Sequence, residues 1–223
     1  MRPASLLAAC LVLACVPVSA AQAPPAAPEA ASPATRKVLA RIEARMAEVR
    51  TVRARFRQVK RVPLFAKEIV LRGEIGLEKP DRFLWRVEQP VPYCLVIDKS
   101  GFRQWDAETG RVQRGRIEGN PVLRVVVDQL TGFFSGRFLA MTHEFEISVV
   151  HDRPLELSGV PRQGSPAGAS IRSFAVRFGM DERYVAGVTV VEAQGGETEL
   201  EFQDAQPNAA LPPEFWEVEP RGR

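Results

Sequence analysis

The stretch Lys79-Pro80-Asp81-Arg82-Phe83-Leu84-Trp85-Arg86-Val87-Glu88-Gln89-Pro90 decides the fold class. It opens on a turn, because proline presets φ and the short aspartate side chain bonds the backbone beyond it. It closes on a second break, Gln89-Pro90. Between the two, Phe83, Trp85 and Val87 fall at period two and therefore share one face of a strand. The preceding run repeats the pattern, with Ile69, Leu71, Ile75 and Leu77 on one face.

Similar short runs continue outward at residues 93–98, 102–106 and 111–117, joined by Lys99-Ser100-Gly101 and Glu108-Thr109-Gly110. Connections this brief join only antiparallel neighbours, since a parallel crossover needs about a dozen residues. The first half reads as a meander. Upstream, Val52, Ala54 and Phe56 alternate with Arg53, Arg55 and Arg57, which predicts a half-buried strand. Before it, Val38, Ile42, Met46 and Val49 recur at helical spacing behind Ser32-Pro33, which predicts one amphipathic helix over 35–49.

Downstream, residues 121–130 are almost uniformly apolar behind Pro121 and predict a short buried helix, with a second helical turn over 137–142. Strands resume at 144–150, 155–160, 171–178, 185–192 and 197–203, and the Gly/Ser/Pro-rich stretch 159–169 reads as a loop. The fold class is mainly β (α+β): about eleven antiparallel strands in one sheet. A sheet that large curls or splits. If it curves strongly, so few helices cover its concave face incompletely, and that geometry makes a cavity. The candidate lining is Phe56, Leu71, Ile75, Leu77, Phe83, Trp85 and Trp105. The candidate lid is the N-terminal helix with the central helix, through Leu123, Val126 and Leu130.

At 223 residues, 45% apolar, the chain can bury a core without metal or disulfide support. The expected division is a signal peptide over 1–20, a disordered Ala/Pro-rich linker over 21–34 and a single domain over 35–223. Cleavage after Ala20 would leave Cys94 as the sole thiol, so no intramolecular disulfide is expected. A second reading stands beside it: Leu7-Ala8-Ala9-Cys10 and Val12-Leu13-Ala14-Cys15 both resemble a lipobox, in which case Cys10 or Cys15 carries a membrane anchor.

Residues 36–61 hold ten basic side chains against Glu43 and Glu48, whereas the rest of the domain is mildly acidic. Arg53, Arg55 and Arg57 are therefore a candidate docking face for an anionic partner, phospholipid headgroups or an acidic protein surface, competing with the plainer reading of a solvated face. Nucleic acid is not an expected partner of an exported chain. Catalysis is not expected either. His143 and His151 are the only imidazoles and lack a partner at ligand spacing, no Gly-x-Ser-x-Gly occurs, and Cys94 lies in an apolar strand. Glu197, Glu199 and Glu201, at period two, mark the solvated side of a strand whose other side is Thr198, Leu200 and Phe202. No cofactor or metal is expected.

The linear order is itself recognisable: an amphipathic helix, Phe56-Arg57-Gln58, Gly73 within a strand, the 79–85 stretch with Gln89-Pro90, Asp98-Lys99-Ser100-Gly101 before Trp105-Asp106, Pro161-Arg162, and a closing segment from Phe215 to Pro220. It resembles the periplasmic lipoprotein carriers, the LolA-like family, over nearly the whole predicted domain. The resemblance implies an unclosed β-barrel with a helical lid, and carriage of acylated lipoprotein or lipid cargo through the periplasm from an inner-membrane transporter to an outer-membrane acceptor, by a monomer without catalysis. It also implies a lid latch before Pro80, where the family's Arg is replaced by Lys79, a point charge rather than a planar fork, which does not support a multi-bond latch. The segment 130–145 looks more like divergent relatives that accompany lipid exporters. An anchored receptor or lipid-sensing module on the same fold is the alternative function.

Overall fold

The computed structural model describes residues 31–63, 67–116, 134 and 136–219. The chain enters through helix α1, Pro33–Ala47, whose first turn is capped by Ser32: its hydroxyl accepts from the Thr35 amide at 3.0 Å, and Pro33 sits where its missing N–H costs nothing. The helix opens inside the last two residues of the stretch read as linker. Eleven strands follow: β1 Thr51–Arg61, β2 Ile69–Glu78, β3 Arg82–Gln89, β4 Tyr93–Asp98, β5 Gly101–Asp106, β6 Val112–Gly115, β7 Phe145–Asp152, β8 Leu155–Pro161, β9 Ile171–Phe178, β10 Val185–Glu192 and β11 Glu197–Pro207. A short helix α2, Phe138–Met141, precedes β7, and 3-10 turns lie at Pro166–Ala169 and Pro213–Trp216.

All eleven strands form one antiparallel sheet in the order β6-β5-β4-β3-β2-β1-β11-β10-β9-β8-β7. Two meanders therefore meet where β1 pairs with β11, and the sheet ends at β6 and β7 without closing. The expected class and strand number are what the structure shows. The loop expected over 159–169 is partly ordered, since β8 continues to Pro161 and Pro166–Ala169 forms a 3-10 turn.

The sheet is curled rather than flat. The β2–β3 and β7–β8 turns are six strand positions apart, about 29 Å in a flat sheet. Yet Lys79 of the first turn reaches Met46, and Asp152 at the second reaches Arg41, residues about 7.5 Å apart along α1. Curling places one face of every long strand around α1. Leu39, Ile42 and Met46 of the helix join inward side chains from β1 through β4 and β7 through β11 in one buried cluster. Leu39, outside the set Val38, Ile42, Met46 and Val49 read from the sequence, lies deeper than Val38.

The other face has a smaller core. Phe215, Trp216 and Val218 pack on Leu84, Cys94 and Val96, with Trp105, Val112 and Leu211 at the margin. Strands β3 and β4 are thus buried on both faces, which accounts for the near-continuous apolar run Cys94-Leu95-Val96-Ile97.

Candidate acyl-binding face

The inner face is built by strand register. Pairing of β1 with β2 sets Val52 opposite Leu77, Ala54 opposite Ile75, Phe56 opposite Gly73 and Gln58 opposite Leu71. Pairing of β2 with β3 adds Phe83, Trp85 and Val87 on the same side, and β4 contributes Leu95 and Ile97. Gly73 has a steric role here. A Cβ on it would lie 1.8 Å from the Arg86 carbonyl oxygen and 3.0 Å from the Phe56 ring. Without a side chain at that position, Phe56 lies across β2 and stacks on Trp85 with ring centroids 4.0 Å apart.

Six of the seven residues expected to line the cavity, Phe56, Leu71, Ile75, Leu77, Phe83 and Trp85, meet in this cluster. Trp105 does not. On β5 the inward positions pair with Ile97 and Leu95, which makes them Phe102 and Gln104, and Trp105 opposite Cys94 faces the outer core. The lid residues Leu123, Val126 and Leu130 lie outside the described residues. What the structure adds on that side is Phe134, whose ring touches Phe83 at 6.3 Å and Phe202 at 5.3 Å, and Phe138 of α2 against Phe178 at 5.3 Å. The second half of the sheet also contributes Phe145, Ile147, Leu157, Phe174, Val176 and Phe202. Their period-two spacing, at 145/147, 174/176 and 200/202, was the available signal.

Polar contacts among the described residues hold α1 over this face. Lys79 Nζ donates to the Met46 carbonyl at 2.6 Å, satisfying an end group of the helix with a charge suited to its C-terminal dipole. Burial pushes the Lys79 ammonium below its ordinary range. The contact is a single bond, as a point charge allows. The fork-shaped contact is elsewhere: Arg41 Nε and Nη2 each donate to Glu182 at 2.9 Å, with a further 3.2 Å bond from Nη2 to Asp152. Glu43 accepts from the Leu139 amide at 2.9 Å and so joins α1 to α2. Arg162, following β8, donates to the Thr142 carbonyl at 2.8 Å and steadies the far end of α2.

The basic face lies on the outer side of β1. Arg53 pairs with Glu74 at 2.6 Å and stands over the Phe215 ring, and Arg55 pairs with Glu88 at 2.9 Å. Two of the three charges are therefore already met by carboxylates. The two histidines are exposed, and Cys94 is buried with its sulfur 4.0 Å from the Glu217 carbonyl. Among the described residues no three His, Cys, Asp or Glu side chains gather as metal ligands, and no helix is long and apolar enough to cross a membrane.

The profile of the family described as outer membrane lipoprotein carrier protein LolA matches residues 47–219, from the end of α1 to the closing segment. The chain belongs to the LolA family. Two curated carriers accompany that match. An outer-membrane lipoprotein carrier protein of Chromobacterium violaceum is 24% identical over 190 residues, covering 82% of this chain and 84% of that one. The protein of the same description from Bordetella pertussis is 25% identical over 182 residues, covering 79% and 80%. Among solved structures, the MucA/MucB complex of Pseudomonas aeruginosa superposes with a TM-score of 0.50 at 12% identity, over 81% of this chain and 60% of that one. That likeness is one of fold. The LolA match includes the strands of the Phe56–Trp85 stack and the Lys79 turn, but begins at the last residue of α1.

Proposed function

We propose that this LolA-family protein shields the acyl chains of lipoproteins, or of a related lipid, against the inner face of its sheet while they pass through the periplasm from inner to outer membrane. The observation that carries the reading is the inner cluster of hydrocarbon and aromatic side chains from β1 through β4 and β7 through β11, covered by a helix whose described polar contacts include the Lys79 bond and the Arg41 fork. The magnitude is adequate: about fifteen methylenes withdrawn from water contribute on the order of 12 kcal/mol before the entropy of binding is charged. Cargo enters as α1 yields its place on the inner face, and the segment 121–130, through Leu123, Val126 and Leu130, is the second part of this proposed lid. Release reverses that exchange, which requires a cover of modest stability. Binding and release need no catalytic group.

In this reading residues 1–20 are a signal peptide, the stretch from 21 to the Ser32 cap of α1 a tether and the remainder one monomeric carrier domain. Arg57, with the charges of Arg53 and Arg55 partly neutralised, remains the outward cation for docking on a transporter, and the acceptor is an outer-membrane component. The test is native mass spectrometry of the protein purified from its own cell envelope, with extraction of whatever is bound. A bound triacylated protein supports lipoprotein carriage, and a bound free lipid moves the cargo to the lipid-export branch. A protein that is empty and also takes up no acyl probe would overturn the reading.

A further inference from the structure

The inner face changes character along its length. On β1 the inward side chains run Val52, Ala54, Phe56, Gln58 and Lys60, starting at the end where α1 lies. The strand passes from hydrocarbon through a buried amide to an ammonium, with about 13 Å between Phe56 and Lys60. Its neighbours change at the same level. Thr198 on β11 stands opposite Lys60, beyond Leu200 and Phe202, and Glu192 on β10 follows Val188 and Val190. Glu192 sits opposite Ile171, which packs on the inner cluster.

Lys60 Nζ lies 3.2 Å from Glu192 Oε1, with the two side chains only 14% and 15% exposed. That oxygen is buried, and no hydrogen bond of good geometry reaches it. A pair withdrawn this far from water adds little to stability, since desolvation offsets the attraction. Its place at the polar end of an apolar face matches the build of an amphiphile.

We infer that Lys60 and Glu192 form a headgroup site for an amphiphile whose acyl chain lies along β1 toward Phe56 and Trp85, and that the site takes a zwitterionic phosphodiester, phosphate on Lys60 and ammonium on Glu192. Charge balance selects that class. An anionic headgroup would draw Lys60 away and leave Glu192 a buried, unpaired carboxylate, whereas a zwitterion exchanges one ion pair for two. Gln58, one inward position deeper, lies level with the ester groups. The inference rests on the acyl-carriage reading and names the headgroup that carriage would accept.

The experiment offers the delipidated full chain vesicles of phosphatidylethanolamine, phosphatidylglycerol and diacylglycerol in equal amounts, and counts lipids retained by native mass spectrometry. The expected result is about tenfold more phosphatidylethanolamine than phosphatidylglycerol, one decade of affinity. Glu192→Gln should erase that preference. Lys60→Met should lose the advantage of phosphatidylethanolamine over diacylglycerol, while its diacylglycerol uptake, unchanged, shows the variant folded and able to bind acyl chains. Equal uptake of the two phospholipids, or a ratio unmoved by Glu192→Gln while diacylglycerol still binds, would overturn the headgroup site and leave carriage standing. Uptake of none of the three would overturn both.

Discussion

The two faces of β3 are covered in different ways. Inward, Phe83, Trp85 and Val87 lie in the cluster beneath α1, whose polar ties among the described residues include the single Lys79 bond, the Glu43 contact, an Arg41 fork that is 44% exposed and contacts of Arg183 and Asn208 with Glu48 at its C-terminal end. Outward, Leu84 and Arg86 lie beneath the closing segment. Arg86 donates to the carbonyls of Glu217 at 2.7 Å and Phe215 at 3.3 Å while pairing with Glu74, which is 8% exposed and also takes Arg53. Arg82 stands 4.3 Å over the Trp216 ring. The outer cover is pinned by shielded charges and backbone bonds, whereas the ion pairing of the inner one is the exposed Arg41 fork, which is individually weak, beside isolated part-buried bonds at Lys79 and Glu43. A face that must exchange its cover for an acyl chain needs the second arrangement. The face that holds the sheet's shape needs the first.

The largest effect should come from the outer cover. Trp216→Ala removes a fully buried ring and is expected to cost about 3–5 kcal/mol in denaturant unfolding. Trp216→Phe should cost less than the alanine variant, because a phenyl ring refills most of the site and the indole N–H has no hydrogen-bond partner to lose. Neither should alter acyl uptake by the folded protein, and a changed uptake would blur the division between faces. Next is Gly73→Ala, which places a methyl against the Arg86 carbonyl and the Phe56 ring. It should cost about 3 kcal/mol and disturb the Phe56–Trp85 stack, read as a shift in indole near-ultraviolet circular dichroism.

Arg41→Ala should cost under about 1 kcal/mol, as exposed pairs do, yet speed uptake of a fluorescent fatty-acyl probe in stopped flow. An unchanged rate would mean that α1 is not part of the moving cover. The smallest effect is pH dependence through Lys79. Because burial lowers its folded value below the ordinary 10.5, the unfolded chain holds the proton more tightly between those two values. Stability contributed by this residue therefore rises with pH across that window, and Lys79→Met should lack the slope.

Much of this was legible in the residues themselves. Alternation placed Phe83, Trp85 and Val87 together, and opposed Phe56 to the arginines, because a half-buried strand has no other way to satisfy period two. Trp105 was misplaced because parity within one short strand does not say which face a distant segment will cover. Here the cover, Phe215 to Val218, arrives more than a hundred residues later. The curl that brings Lys79 and Arg41 onto one helix is likewise a property of all eleven strands, and the Arg41–Glu182 fork has no local signature. The Lys60–Glu192 pair was hidden for the same reason: each residue alone reads as a strand-end charge.

The three tryptophans, at positions 85, 105 and 216, divide between the faces and allow the most direct test. In a Trp105→Phe, Trp216→Phe variant the only indole is on the inner face, and in Trp85→Phe both remaining indoles are on the outer one. Titrated with a fatty acid brominated along its chain, the first variant should lose its fluorescence on binding and the second should keep it. Quenching confined to the second variant, or equal in both, would contradict an acyl chain held on the inner face.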